Sequence, residues 1–147
     1  MLARAAVAGM TVVGALALMA TPAQAAGNVG LLRAQYDSPG SDNRSNSSLN
    51  AEFIVLKNSG TTSVSLKGWK LRDRTGYTYP FHDVKIGAGQ KLRVHTGSGT
   101  DTAHDVYWGR GSYVWNNTSD TATLIKASGV VKDKCSWNTG DDGSVSC

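Results

Sequence analysis

The stretch Ser65–Asp73, which reads SLKGWKLRD, decides the fold of this chain. Charged Lys70 and Arg72 alternate with apolar Trp69 and Leu71. Alternation with a period of two is typical of a β-strand with one buried face. A glycine precedes the tryptophan, so we predict a core strand that the chain enters through a tight turn, with its cations on the outer face.

The first 25 residues have the composition of a secretory signal peptide. Residues 1–4 carry one charge, residues 5–20 are almost wholly small or apolar, and Ala23-Gln24-Ala25 supplies the small residues of a cleavage site. This apolar run is short for a membrane span, and the alternatives are a membrane anchor or a buried helix. We predict cleavage after Ala25, which leaves a secreted, extracellular domain over residues 27–147 with no further membrane span.

The predicted mature chain is mildly basic. Without Arg4 it has fourteen Lys and Arg residues against eleven Asp and Glu, a formal net charge of +3. This balance permits binding to nucleic acid, teichoic-type polymers or anionic lipid without requiring it.

Two cysteines, Cys135 and Cys147, lie near the end of the chain. In an exported protein a disulfide between them is the default interpretation, and closing so short a loop contributes about 2–4 kcal/mol. The alternatives are two free thiols or a metal site, although no further soft ligand lies nearby at metal-binding spacing.

Candidate strands follow one another along the whole domain, separated by Gly, Asn, Asp and Ser, and no segment shows helical periodicity. This pattern predicts an all-β sandwich or barrel. The continuous apolar run Phe53–Leu56 predicts a central strand, and Pro80 indicates an edge strand.

Two segments fit the pattern less well. Asp37–Asn50 is polar, with Leu49 as its one large apolar residue, so burial cannot offset the entropy of ordering it. We predict a mobile loop unless a ligand holds it. Asp133 falls on the inward parity of the last long strand, so we expect either a bulge there or a place at the sheet rim where it accepts backbone hydrogen bonds.

Four segments together suggest a family. Residues 52–58 read EFIVLKN, 66–73 read LKGWKLRD, 115–124 read WNNTSDTATL and 130–133 read VVKD. In this order they resemble the E-x-V-x-L-x-N, L-x-G-W-x-L-x-D, W-x-N-x-G-D-x-x-x-L and V-V-D motifs of the lamin tail domain, which occurs in nuclear lamins and many exported bacterial proteins. Ser119 stands where the family usually has glycine.

The resemblance implies an immunoglobulin-like β-sandwich with no shared catalytic residues. Members of the family look like adhesion, scaffold or binding modules, and some lamin-type members contact DNA or protein partners. In such a sandwich we expect the core to include Leu66, Trp69, Leu71, Trp115 and Leu124.

Three histidines and one glutamate are the candidates for chemistry. His82 and His104 each precede an aspartate, and His95 lies between them. Such groups serve in metal and acid–base sites, but we interpret all three as surface residues, two in loops and His95 on an outward face. Glu52 is the only glutamate of the chain, and nothing indicates which acid would pair with it in a hydrolase.

Two polar loops carry the hard oxygen ligands that calcium prefers. Their residues are Asp37, Asp42 and Asn43 in one loop, and Asn138, Asp141 and Asp142 in the other. Neither has the spacing of an EF-hand. We predict solvated loops and neither a metal nor another cofactor, and calcium ordering of one loop stays a hypothesis.

The outward cations are the remaining candidate site. Lys70 and Arg72 belong to the first stretch, and Lys91 and Arg93 to a later alternating segment. If these strands pair, the four side chains share one face that could hold a polyanion, with Tyr77 available for stacking. The alternative is an ordinary charged surface.

The sequence therefore predicts an exported, non-enzymatic immunoglobulin-like module. Its partner would be an extracellular or cell-surface protein or polymer, or its role would be structural. The alternative is polyanion or nucleic-acid binding through the basic face. A small hydrolase that uses Glu52 with an Asp or a His is the third hypothesis.

Overall fold

The computed structural model describes residues 26–138 and 140–147, and the predicted signal peptide lies outside them. The described residues form eleven strands and one short helix. In chain order these are β1 (Val29–Gln35), α1 (Asn46–Ala51), β2 (Phe53–Asn58), β3 (Val64–Ser65), β4 (Lys70–Arg72), β5 (Thr78–Pro80), β6 (Lys85–Ile86), β7 (Lys91–His95), β8 (Asp105–Tyr107), β9 (Asp120–Ile125), β10 (Val131–Trp137) and β11 (Ser144–Ser146).

Two sheets that share one core form the body of the domain. One has five strands in the order β11-β1-β2-β7-β8, the other has four in the order β10-β9-β4-β5, and β3 pairs with β6 in a small separate sheet. Only the pairing of β7 with β8 is parallel among the described strands. The core cluster draws Ile54 and Leu92 from the first sheet and Leu71 and Leu124 from the second. The predicted immunoglobulin-like β-sandwich is confirmed.

The stretch Ser65–Asp73 changes sheets at its glycine. Ser65 ends β3, which pairs with β6, and the chain then turns at Gly68, whose φ is +80°. The Trp69 N–H donates to the Leu66 carbonyl at 2.8 Å, which closes the turn. A left-handed φ suits glycine because it has no side chain to clash. After the turn, β4 enters the four-stranded sheet between β5 and β9, as the predicted glycine turn requires.

Four of the five predicted core residues are enclosed, namely Leu66, Leu71, Trp115 and Leu124. Trp69 is partly buried and packs against the margin of the core. It lies at the end of the turn before β4 rather than on the strand, where it is only half-buried. The prediction for Trp69 is therefore corrected from the centre of the core to its margin.

Asp133 has both features that the sequence predicts as alternatives, a bulge and a hydrogen bond from the backbone. The register of β10 against β9 shifts between Val131 and Asp133, which is a bulge. The Asp133 carboxylate also accepts a hydrogen bond from the Leu31 N–H on β1 at 2.8 Å. This bond joins the two sheets and gives the inward-facing charge a partner.

A disulfide joins the same two sheets at another point. Cys135 lies on β10 in the four-stranded sheet, and Cys147 follows β11 at the edge of the five-stranded sheet, with their Cα atoms 5.4 Å apart. The Cys147 N–H also donates to the Leu32 carbonyl at 2.9 Å. The predicted Cys135–Cys147 disulfide is confirmed.

The prediction that Asp37–Asn50 is a loop throughout is wrong, because its last residues belong to α1 and contact the rest of the chain. The Ser45 side chain caps this helix by accepting from the Ser48 N–H. Leu49 is 3% exposed, and the Ser48 hydroxyl lies 2.6 Å from the Tyr113 hydroxyl. A six-residue helix with one buried residue is too short to show periodicity. Within the described residues, no helix has the length and apolarity to cross a membrane.

Candidate binding surfaces

The sequence Lys-Leu-Arg occurs twice, as Lys70–Arg72 in β4 and as Lys91–Arg93 in β7. In both strands the leucine is buried and the two cations are exposed. However, β4 pairs with β5 and β9, whereas β7 pairs with β2 and β8 in the other sheet. The two triplets thus lie on the outer faces of different sheets, and the prediction that the four cations share one face is wrong.

The outer face of the four-stranded sheet carries a set of cations that we call the cationic face: Lys70, Arg72, Arg74 and Lys134. Thr123 of β9 lies in register between Arg72 of β4 and Lys134 of β10. A depression of about 430 Å³ beside this row is lined by Arg72, Arg74, Lys134 and three threonines, among others. The charged groups therefore surround hydroxyls that already have partners, since that of Thr75 donates to Asp73 and that of Thr121 lies 2.9 Å from the Ser136 hydroxyl.

Asp73, which lies between Arg72 and Arg74 and lines the same depression, is bonded within its own turn. Asp73 is 3% exposed. One of its carboxylate oxygens accepts from the N–H groups of Gly76 and Tyr77, each at 2.7 Å, and the other accepts from the Thr75 hydroxyl at 2.6 Å. Across the described residues, the ion pairs found involve Arg93 and His95 and none of these four cations. Among the described residues the four cations thus have no ion pair within 4.0 Å, although the Asp73 carboxylate lines the same depression.

The outer face of the five-stranded sheet is built differently. Three half-buried or buried side chains, Leu32, Phe53 and Val55, form what we call the apolar strip. They line an open pocket of about 730 Å³ together with Arg33, Lys91, Arg93 and Asp105, among others. The Arg93 guanidinium lies 5.6 Å from the centre of the Phe53 ring and 4.0 Å from the Asp105 carboxylate.

His95 belongs to this second face but is not the exposed residue that its parity predicts. It is 9% exposed, because its ring stacks on Tyr107 with centroids 4.9 Å apart and lies against the end of α1. Its Nδ1 is 2.7 Å from the Asn50 carbonyl oxygen and its Nε2 is 2.8 Å from an Asp105 oxygen. Both partners are acceptors, so both ring nitrogens donate only in the imidazolium form.

The lamin tail domain model matches residues 22–139, most of the chain. The chain belongs to the lamin tail domain family. No curated protein matches it. Membership supports an immunoglobulin-like structural or binding module.

Glu52 of this lamin tail domain is at 0% exposure, out of reach of a substrate. Its Oε1 accepts from the Thr96 hydroxyl at 2.5 Å and from the Val114 N–H at 3.0 Å, and its Oε2 has no hydrogen-bond partner among the described residues. Burial raises the pKa of this carboxyl to about 7, and the Thr96 and Val114 bonds oppose the shift. The carboxyl fastens the α1–β2 junction to two other segments.

The remaining predicted ligands do not converge on a metal centre within the described residues, although the two calcium-candidate loops meet where the Asp37 N–H donates to the Gly143 carbonyl at 3.0 Å. His82 and His104 are exposed, and the described residues hold no group of three or more His, Cys, Asp or Glu side chains that could bind a metal. In the two calcium candidates, Asp37 accepts from Asn117 at 3.0 Å and Asp141 accepts from the Asn138 N–H at 3.2 Å. The Asp37 oxygen links its segment to the turn at Asn117, the Asp141 oxygen stabilises its own loop, and calcium binding stays a hypothesis.

Several residues of the cationic face and of the apolar strip were not predicted from the sequence. Lys134 alternates with Cys135 and so carried a signal, since a buried cysteine places its neighbour outside. Leu32 carried none, because a bulge between Leu31 and Arg33 changes the parity of β1. Tyr77 is 48% exposed as expected, but the Arg110 guanidinium lies 4.1 Å from its ring centre and occupies one ring face.

Proposed function

We propose that this lamin tail domain protein is exported and works outside the cell as a non-enzymatic binding module. Two features support export: the signal-peptide composition of residues 1–25 and the Cys135–Cys147 disulfide, a bond that persists in oxidising compartments. The disulfide is compatible with an extracellular location. A non-catalytic role accords with a family whose fold is an immunoglobulin-like scaffold.

Export is tested by expressing the full chain in a secreting host and measuring the intact mass of the protein from the medium by mass spectrometry. We expect the mass of a chain whose first residue is Ala26, less the two hydrogens lost when the disulfide forms. Recovery of the protein only inside the cell, with residues 1–25 attached and both thiols free, would contradict the proposal.

The ligand class that we propose is an anionic polymer, bound on the cationic face. The observation that supports it most is the row Arg72–Thr123–Lys134, in which two exposed cations lie on either side of the buried Thr123 and have no carboxylate within 4.0 Å among the described residues. Cations of this kind bind phosphate or sulfate groups and release the counterions of the polymer. Such binding needs no enclosed pocket and suits an open sheet.

The two Lys-Leu-Arg triplets provide a matched experiment. We would compare K70S/R72S with K91S/R93S, two double variants that lose the same charge from the same local sequence. Binding to double-stranded DNA and to heparin is measured against salt concentration. We expect K70S/R72S to weaken binding and to reduce the slope of log K against log salt by about 2, and K91S/R93S to change it little. Equal effects of both variants would mean that net charge alone is responsible and would refute a localised site.

A further inference from the structure

The apolar strip on the five-stranded sheet has the size and lining of a site for a peptide side chain. Its pocket of about 730 Å³ falls within the range of known ligand pockets. The bulge in β1 contributes to it, because the extra residue there places Leu32 in the pocket lining beside Arg33. Apolar side chains that line an open pocket in this way indicate a surface that a partner covers.

The charges around the apolar strip indicate what that partner carries. Arg33 and Arg93 lie in register on either side of Val55, and Lys57 lies directly opposite Lys91 in the neighbouring strand. Like charges directly opposite each other in a sheet repel, and an anion placed between them removes the repulsion. Asp105 is the only acidic side chain in the pocket lining, and its carboxylate is already bonded to His95 at 2.8 Å.

Two anionic ligand classes fit this face poorly. Single-stranded nucleic acid needs several free aromatic faces, but Tyr107 stacks on His95 while Gly99 lies against its ring, which leaves Phe53 as the one aromatic ring for a base on this face. A lipid whose acyl chain is taken up by the protein needs an enclosed cavity, and this pocket is open to solvent.

We infer that the outer face of the five-stranded sheet binds an acidic peptide segment of another protein. One apolar side chain of that segment would rest on the apolar strip, and neighbouring carboxylates would bind Arg33, Arg93 and the Lys57–Lys91 pair. Arginine suits this role because its planar guanidinium matches a carboxylate with two parallel hydrogen bonds. Residues 1–25 of this chain contain no acidic residue, so that segment could not supply the carboxylates.

The test is fluorescence anisotropy of the purified protein with the labelled peptide Glu-Asp-Phe-Asp-Glu. Its comparison peptides are Glu-Asp-Ala-Asp-Glu, without the apolar anchor, and Gln-Asn-Phe-Asn-Gln, without the charges. We expect saturable binding of the first peptide and weaker binding of both others. Arg93→Ser should weaken it about tenfold, and the matched variant Arg72→Ser, in the other triplet, less than twofold.

Four results would overturn the inference. They are the absence of saturable binding, equal loss in Arg93→Ser and Arg72→Ser, displacement of the peptide by phosphatidylglycerol vesicles or oligothymidylate in an Arg93-dependent way, and a dimer in sedimentation that Arg93→Ser dissociates. The third would assign the face to a membrane or a nucleic acid and the fourth to a second copy. Because Arg72 belongs to the cationic face, failure here leaves the polymer-binding proposal intact.

Discussion

The triplets Lys70–Arg72 and Lys91–Arg93 have the same sequence and the same alternation, and yet they end up in unlike surroundings. Both leucines are at 0% exposure. Next to the first triplet, β9 contributes Thr123, and the cations stay unpaired. Next to the second, β2 contributes Phe53 and Val55 and β8 contributes Asp105. Local sequence therefore sets which side of a strand faces inward, and the neighbouring strands set what its outer side can bind.

The buried leucine that the two triplets share has the largest expected effect. Leu71→Ala and Leu92→Ala should each lower the free energy of unfolding by about 2–5 kcal/mol, since each removes a fully buried side chain and leaves a cavity. Urea unfolding followed by tryptophan fluorescence measures both. A loss below about 1 kcal/mol for one of them would show that its sheet does not share the common core.

The disulfide comes next, and it distinguishes the two sheets. Replacing both cysteines by serine should lower the free energy of unfolding by about 2–4 kcal/mol, because the link closes a short loop in the unfolded chain. The local effect should fall on β11, an edge strand that pairs only with β1. Hydrogen exchange is expected to speed up more at Val145 and at position 147 than at Leu71, whose buried strand opens only with the whole domain. Unchanged exchange in β11 would mean that its hydrogen bonds suffice to hold it.

These elements show how much of the fold and of the candidate sites can be predicted from the sequence. Alternation and turn residues predict the sandwich, the glycine turn before Trp69 and the burial of Leu71. Alternation and turn residues do not predict which strands pair, because Leu71 pairs with Leu124, more than fifty residues later. The prediction that the four cations share one face is wrong for this reason. The parity of His95 was predicted, but its burial depends on Asn50 and Tyr107, which lie far from it in the sequence.

The buried acids of the two sheets offer a third contrast. Both Asp73 oxygens accept hydrogen bonds, whereas Glu52 has one oxygen without a partner among the described residues and a pKa raised from 4.5 to about 7. Because the folded state holds this proton more tightly than the unfolded chain does, its contribution to stability is complete below pH 4.5 and is lost as the pH rises through about 7. The loss should be on the order of 3 kcal/mol.

Urea unfolding between pH 5 and pH 8 measures this slope. Glu52→Gln, which keeps the shape of the neutral acid, should flatten it. Thr96→Val serves as the companion variant: it removes a hydrogen bond that lowers the pKa, so the decline should extend to higher pH. If the slope persists in Glu52→Gln, another group is responsible for it and Glu52 is charged in the folded state.

The smallest expected effect concerns the two arginines on which both binding proposals depend. Arg72→Ser should leave the free energy of unfolding unchanged within about 0.5 kcal/mol. Arg93→Ser should lower it by about 0.5–1 kcal/mol, because the Arg93 side chain is 57% exposed and its Asp105 pair is a long one at 4.0 Å. The difference should shrink in high salt.

This small difference tells whether Arg93 is free to bind a ligand. If folding gains little from Arg93, its guanidinium can leave Phe53 and Asp105 for a carboxylate on a partner. If the Arg93→Ser variant instead loses more than about 2 kcal/mol, beyond what an exposed ion pair provides, the side chain is part of the structure of β7 and β8. The peptide site would then lack its central cation, while the cationic face on the opposite sheet would be unaffected.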